Sequence, residues 1–143
     1  MSERAVGELF SEAQEFPEVL STVTDPALRS VRVTTDLSLA GDARGAFFTP
    51  DSRRAVIARH HGSGENHWTQ YLLCEIEDGF ALRVLTTERT ARCPVVTPDG
   101  RFIYYFVDET ACEPPRVALK RVDLESFQTE QVALYEGVVR GVD

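Results

Sequence analysis

Apolar and polar residues alternate with a period of two over several short stretches, the pattern of strands with one buried face. Tyr71, Leu73 and Glu75 fall on one side of such a stretch, and Leu72, Cys74 and Ile76 on the other. Ala55 to Arg59 and Phe102 to Phe106 are rich in β-branched or aromatic residues, which fit a pleated, half-buried surface. Turn signals separate these stretches. In Pro50-Asp51-Ser52 and Pro98-Asp99-Gly100, proline presets φ and aspartate bonds nearby backbone. Glu77-Asp78-Gly79 punctuates the chain in the same way.

The pattern occurs twice. Thr49-Pro50-Asp51 returns as Thr97-Pro98-Asp99, an offset of 48 residues that holds without a gap. At that offset Val56 falls on Tyr104, Ile57 on Tyr105, Tyr71 on Leu119, Cys74 on Val122, Ile76 on Leu124 and Val84 on Val132. Each unit reads as four strands. The first unit has them at 44–49, 55–59, 71–76 and 82–86, and the second at 92–97, 102–106, 118–124 and 130–134. Four antiparallel strands at this period are the signature of a β-propeller blade. A twisted four-stranded sheet has two faces to bury and needs neighbouring sheets to bury them. The predicted fold is all-β: a partial propeller of two four-stranded antiparallel blades, residues 44–91 and 92–139. A short helix is predicted in residues 1–20, where Ala5, Leu9, Ala13 and Phe16 fall at helical spacing before Pro17. Residues 21–43 read as a linker holding a closing strand at Val31 to Thr34, which in a two-blade chain would dock on the second blade.

The runs Phe47 to Arg59 and Val95 to Phe106, with the later Cys74-Glu75-Ile76 and Val122-Asp123-Leu124, resemble the TolB-type repeat. That repeat serves transport proteins, peptidases and lyases alike, so it speaks to fold rather than function. Ahead of the first unit, Phe16-Pro17, Thr24-Asp25-Pro26 and Val31 to Thr34 lead into Phe47-Phe48-Thr49. This order is similar to the opening of oligogalacturonate lyases, over residues 16–139. The resemblance implies a propeller of about seven blades. It also implies a divalent metal, usually manganese, and cleavage of pectin-derived oligogalacturonides by β-elimination. The family's metal ligands and its proton-abstracting arginine lie in later blades, and no position here matches them. The expected function is therefore the N-terminal part of such a lyase, active only when further blades complete it. The alternative is a non-catalytic TolB-like module that binds protein or carbohydrate.

Two blades form an open wedge with uncovered apolar faces. The preferred explanation is a piece of a longer chain; the others are self-association and capping by the N-terminal segment. The net charge of −8 argues against nucleic acid, whose binding rests on basic residues. Cys74, Cys93 and Cys112, spaced by 19 residues, match neither a metal motif nor a disulfide framework, and Cys74 reads as a core thiol. Ser2 to Ala13 lacks an apolar leader and no stretch is long enough to span a bilayer, so the expected setting is the cytoplasm, away from membranes.

One segment carries candidate chemistry. His60 to Trp68 contains the chain's three histidines and its only tryptophan, and it is placed in the loop between the second and third strands of the first unit. That end of a propeller also carries the connections between blades and usually binds ligands. His60, His61, His67 and Trp68 are candidates to stack on an anionic sugar, with Arg59 or Arg44 pairing its carboxylate. The three imidazoles with Glu65 could ligate a metal, but their spacing matches no metal motif, so no metal ligand is assigned. Gly62-Ser63-Gly64 lacks the five-residue nucleophile elbow, and no catalytic residue is assigned.

Overall fold

The computed structural model describes residues 3–15, 31–33 and 47–137. Three short strands come first: β1 (Leu9–Phe10), β2 (Gln14–Glu15) and β3 (Val31–Arg32). The first repeat supplies β4 (Phe47–Phe48), β5 (Arg54–His61), β6 (Trp68–Glu75) and β7 (Ala81–Val84). The second supplies β8 (Ala91–Val96), β9 (Phe102–Glu109), β10 (Arg116–Asp123) and β11 (Thr129–Glu136). Adding the 48-residue offset to β5 and β6 reproduces the bounds of β9 and β10 residue for residue. The described residues are thus all-β: each repeat supplies four antiparallel strands of one sheet, β1 joins the first sheet as a fifth, and β2 and β3 form a two-stranded sheet.

Each repeat turns its first hairpin alike. Thr49 Oγ1 donates to Asp51 at 2.6 Å and receives the Arg54 amide at 3.1 Å. Thr97 repeats both bonds with Asp99 and Phe102. These bonds, with the amides of Arg53 and Arg101, hold the Asp51 and Asp99 carboxyls below the usual aspartate range, the threonine bond contributing most. The left-handed position of the turn is Ser52 in one repeat and Gly100 in the other. A Cβ on Gly100 would stand 3.0 Å from Pro50 Cδ, so the close approach of the two turns favours glycine in the second.

The sheets pack face to face. Val56, Leu73 and Leu85 of the first repeat meet Ile103, Tyr105, Val107, Ala118 and Val122 of the second, all buried. The other face of the first sheet holds Leu72, Cys74, Leu82 and Val84, against which Phe10 and Val33 pack. Burial pushes the Cys74 thiol up to about 11, as a core thiol requires. Two polar links fasten the sheets. Arg54 bonds Glu75 on its own sheet at 2.9 Å and donates to the Leu124 carbonyl at 2.8 Å. Glu88, in the connection between sheets, accepts from Lys120 Nζ at 2.8 Å and from Tyr105 Oη at 3.1 Å.

Two expectations fail. The helix expected in residues 1–20 is absent from the described residues 3–15, which form a turn, β1 and β2. The physical reason is the open edge of β7. β1 pairs with it antiparallel, Leu9 opposite Arg83 and Phe10 opposite Leu82, extended by the Gly7 amide on the Val84 carbonyl at 2.8 Å. A handful of residues gains little as an isolated helix, whereas an edge strand satisfies backbone groups at once. The closing strand also lies elsewhere. Val31 pairs with Glu15 and Arg32 with Gln14, and Val33 packs on the first sheet rather than the second. Phe16, Pro17 and most of 21–43 lie outside the described residues.

Candidate functional site

His60 and His61 lie at the end of β5 and Trp68 and Thr69 open β6, so only residues 62–67 form the loop. The loop is tight. A Cβ on Gly62 would meet the Asn66 carbonyl oxygen at 2.3 Å, and Gly64–Asn66 form a 3₁₀ turn. In register, His61 is opposite Trp68 and His60 opposite Thr69.

Neighbouring strand residues point to opposite faces, and this divides the histidines. His61 stacks on Trp68 with ring centroids 4.3 Å apart and planes 14° apart. Its Nε2 lies 3.0 Å from Gln70 Oε1, and the Gln70 amide donates to the Thr86 carbonyl at 3.3 Å. His60 lies on the other face, its ring 5.0 Å from that of His67 and its Nδ1 3.0 Å from Thr69 Oγ1. The three imidazoles therefore do not converge. Among the described residues no group of three His, Cys, Asp or Glu side chains could hold a metal ion.

Arg59 does not reach this rim. It is 7 % exposed, and it pairs with Glu12 at 2.7 Å beside the Phe10 ring. Its role is to fasten the segment after β1 to the first sheet, so it is withdrawn from sugar recognition. Arg44 lies outside the described residues.

Two neighbours were missed by sequence reasoning. The exposed Arg89 guanidinium lies 5.6 Å from the Trp68 ring centroid. It belongs to the connection between β7 and β8, which brings it to the loop between β5 and β6, and it also pairs with the exposed Glu3 carboxylate at 3.8 Å. Its position next to the predicted end of the first unit was the available signal. The adjacent Glu88 turns inward to Tyr105 and Lys120. Burial would raise its carboxyl, but the Lys120 hydrogen bond and charge outweigh this and hold it below the ordinary glutamate range. Burial and the nearby Glu88 charge push the Tyr105 hydroxyl far up, so it stays a neutral donor.

At the opposite end a cleft of about 620 Å³ opens between the two Thr-Pro-Asp turns. Its lining sets Arg53, Arg54 and Arg101 against the carboxylates of Asp51, Glu75, Glu77, Asp78, Asp99 and Glu125, an acidic balance that disfavours an anionic ligand. The His-Trp corner thus remains the better candidate. It offers an aromatic ring, imidazoles and an exposed guanidinium, groups that can stack on a ligand and hydrogen-bond it.

Comparison with family models, with curated proteins and with solved structures finds no match to this chain. Among the described residues no helix is long and apolar enough to cross a membrane.

Proposed function

We propose that the chain is a non-catalytic, propeller-type module that binds an anionic sugar, an oligogalacturonide or another uronate chain, at the His61–Trp68 corner. The observation that carries this reading is the stacked His61–Trp68 pair with Arg89 beside it. Aromatic faces hold apolar sugar faces, and a guanidinium pairs a carboxylate in fork geometry. His60 and His67 lie against each other on the opposite face and stand outside this stack.

A second reading keeps the chain as the N-terminal part of an oligogalacturonate lyase-like propeller. The gapless 48-residue repeat with its paired Thr-Pro-Asp turns favours it. Manganese-assisted β-elimination would then need ligands from further sheets.

Trp68 is the chain's only tryptophan, so its fluorescence reports on the corner directly. Addition of tri- or tetragalacturonate is expected to change the emission saturably, with weak affinity of about 0.1–1 mM. Trp68 itself supplies the signal, so its removal is read by calorimetry, where Trp68→Ala and Arg89→Ala should each lose at least about tenfold in affinity. Unchanged emission and no heat up to 10 mM ligand, about tenfold above that range, would reject sugar binding. A rise in ultraviolet absorbance from unsaturated uronate on adding manganese would favour the lyase reading.

A further inference from the structure

The outer face of the second sheet repeats the seat on which the first sheet holds it. In the first sheet the seat includes Val56, Tyr71, Leu73 and Leu85. The 48-residue offset carries these positions to Tyr104, Leu119, Arg121 and Ala133. Register places the same residues on one face: Tyr104 is opposite Arg121, Phe106 opposite Leu119, and Leu119 opposite Ala133. Val95 is opposite Tyr104 and Tyr135 opposite Val117, which adds both to this face. Val95 is 57 % and Tyr135 51 % exposed. A face that continues an existing sheet-to-sheet interface and that no described residue covers is a docking surface.

We propose that this face packs against the same face of a second copy of the chain, related by a two-fold axis. The inference is independent of sugar binding. Two observations select the second copy and the two-fold arrangement. The first is that head-to-tail stacking is closed off. Continuing the internal repeat between copies would place this face on the outer face of another copy's first sheet, and that face already carries Phe10, Val33 and the Arg59–Glu12 pair. The second is charge. In a two-fold contact a face meets itself, so any net charge on it repels. Here the charges cancel in pairs: Arg121 with Glu130 at 2.7 Å, Arg101 with Asp123 at 3.4 Å and Arg92 with Asp108 at 3.8 Å. The molecule's net charge of −8 is carried elsewhere.

Sedimentation of the full chain over a dilution series tests this. The expected mass is twice 16.0 kDa at high concentration, falling to the monomer on dilution. Val95→Glu and Tyr135→Glu, on the two edge strands of the sheet, should each weaken the dimer by about 100-fold, since each buries a carboxylate without a partner in the contact. Leu134→Glu, on the opposite face of β11, should leave it intact. Circular dichroism confirms that each variant is folded. A monomer at all concentrations overturns the proposal. So does an assembly that grows beyond two copies, or a dimer indifferent to both face variants.

Discussion

The two sheets share strand bounds, turns and spacing, yet they are covered differently. The first is buried on both faces, by the second sheet and by Phe10 and Val33, and β1 pairs with its outer edge. The second is buried on one face, and β11 is exposed along nearly its whole length. Arg121 stands where the first sheet has Leu73. The lesson is that backbone and turn chemistry are set within each repeat, whereas side-chain polarity answers to what lies on top of it.

The largest effect should come from testing that pair of equivalent positions. Leu73 is fully buried, and Leu73→Ala should cost about 2–5 kcal/mol in denaturant unfolding. Arg121→Ala, at the same place in the second repeat, should leave the midpoint close to that of the parent chain. Equal losses would mean that the second face is as tightly covered as the first.

Next in size is the clamp between the sheets. Glu88→Gln should cost about 1–3 kcal/mol by leaving Lys120 without its counter-charge. The pH dependence follows from the depressed Glu88 carboxyl. Its stabilisation is complete above the ordinary value of 4.5 and is lost as the pH falls through the lower folded value. Unfolding curves at neutral pH and in acid well below the ordinary glutamate value should therefore converge for parent and variant at the acid end. A gap that widens in acid contradicts the assigned charge state.

The smallest effect concerns the cover on the first sheet. Phe10→Ala should cost about 1–2 kcal/mol and raise binding of a hydrophobic dye. No change in either measurement would mean that β1 adds nothing to the difference between the sheets.

Most of the strand architecture was legible because each repeat carries its own instructions. The alternation from Tyr71 to Ile76 and the Thr-Pro-Asp turns are local signals, and the second copy confirmed the first. The N-terminal segment misled because Ala5, Leu9 and Ala13 suit a helix, while the β7 edge that captures Leu9 and Phe10 lies more than 70 residues away. The site was legible only as a cluster. The alternation that separates His60 from His61 follows once the strand is extended to both residues. The burial of Arg59 by Glu12, 47 residues earlier, and the link from Glu88 to Lys120, 32 residues later, leave no local trace.

Arg54 and Glu88 fasten the sheets at opposite ends of the molecule, one beside the Thr-Pro-Asp turns and the other beside the His-Trp corner. A plate pinned at both ends resists hinging open like a book cover better than one pinned at a single end. The angle between the sheets is therefore set jointly by two links at opposite ends, so loss of either one should loosen the packing at its own end first.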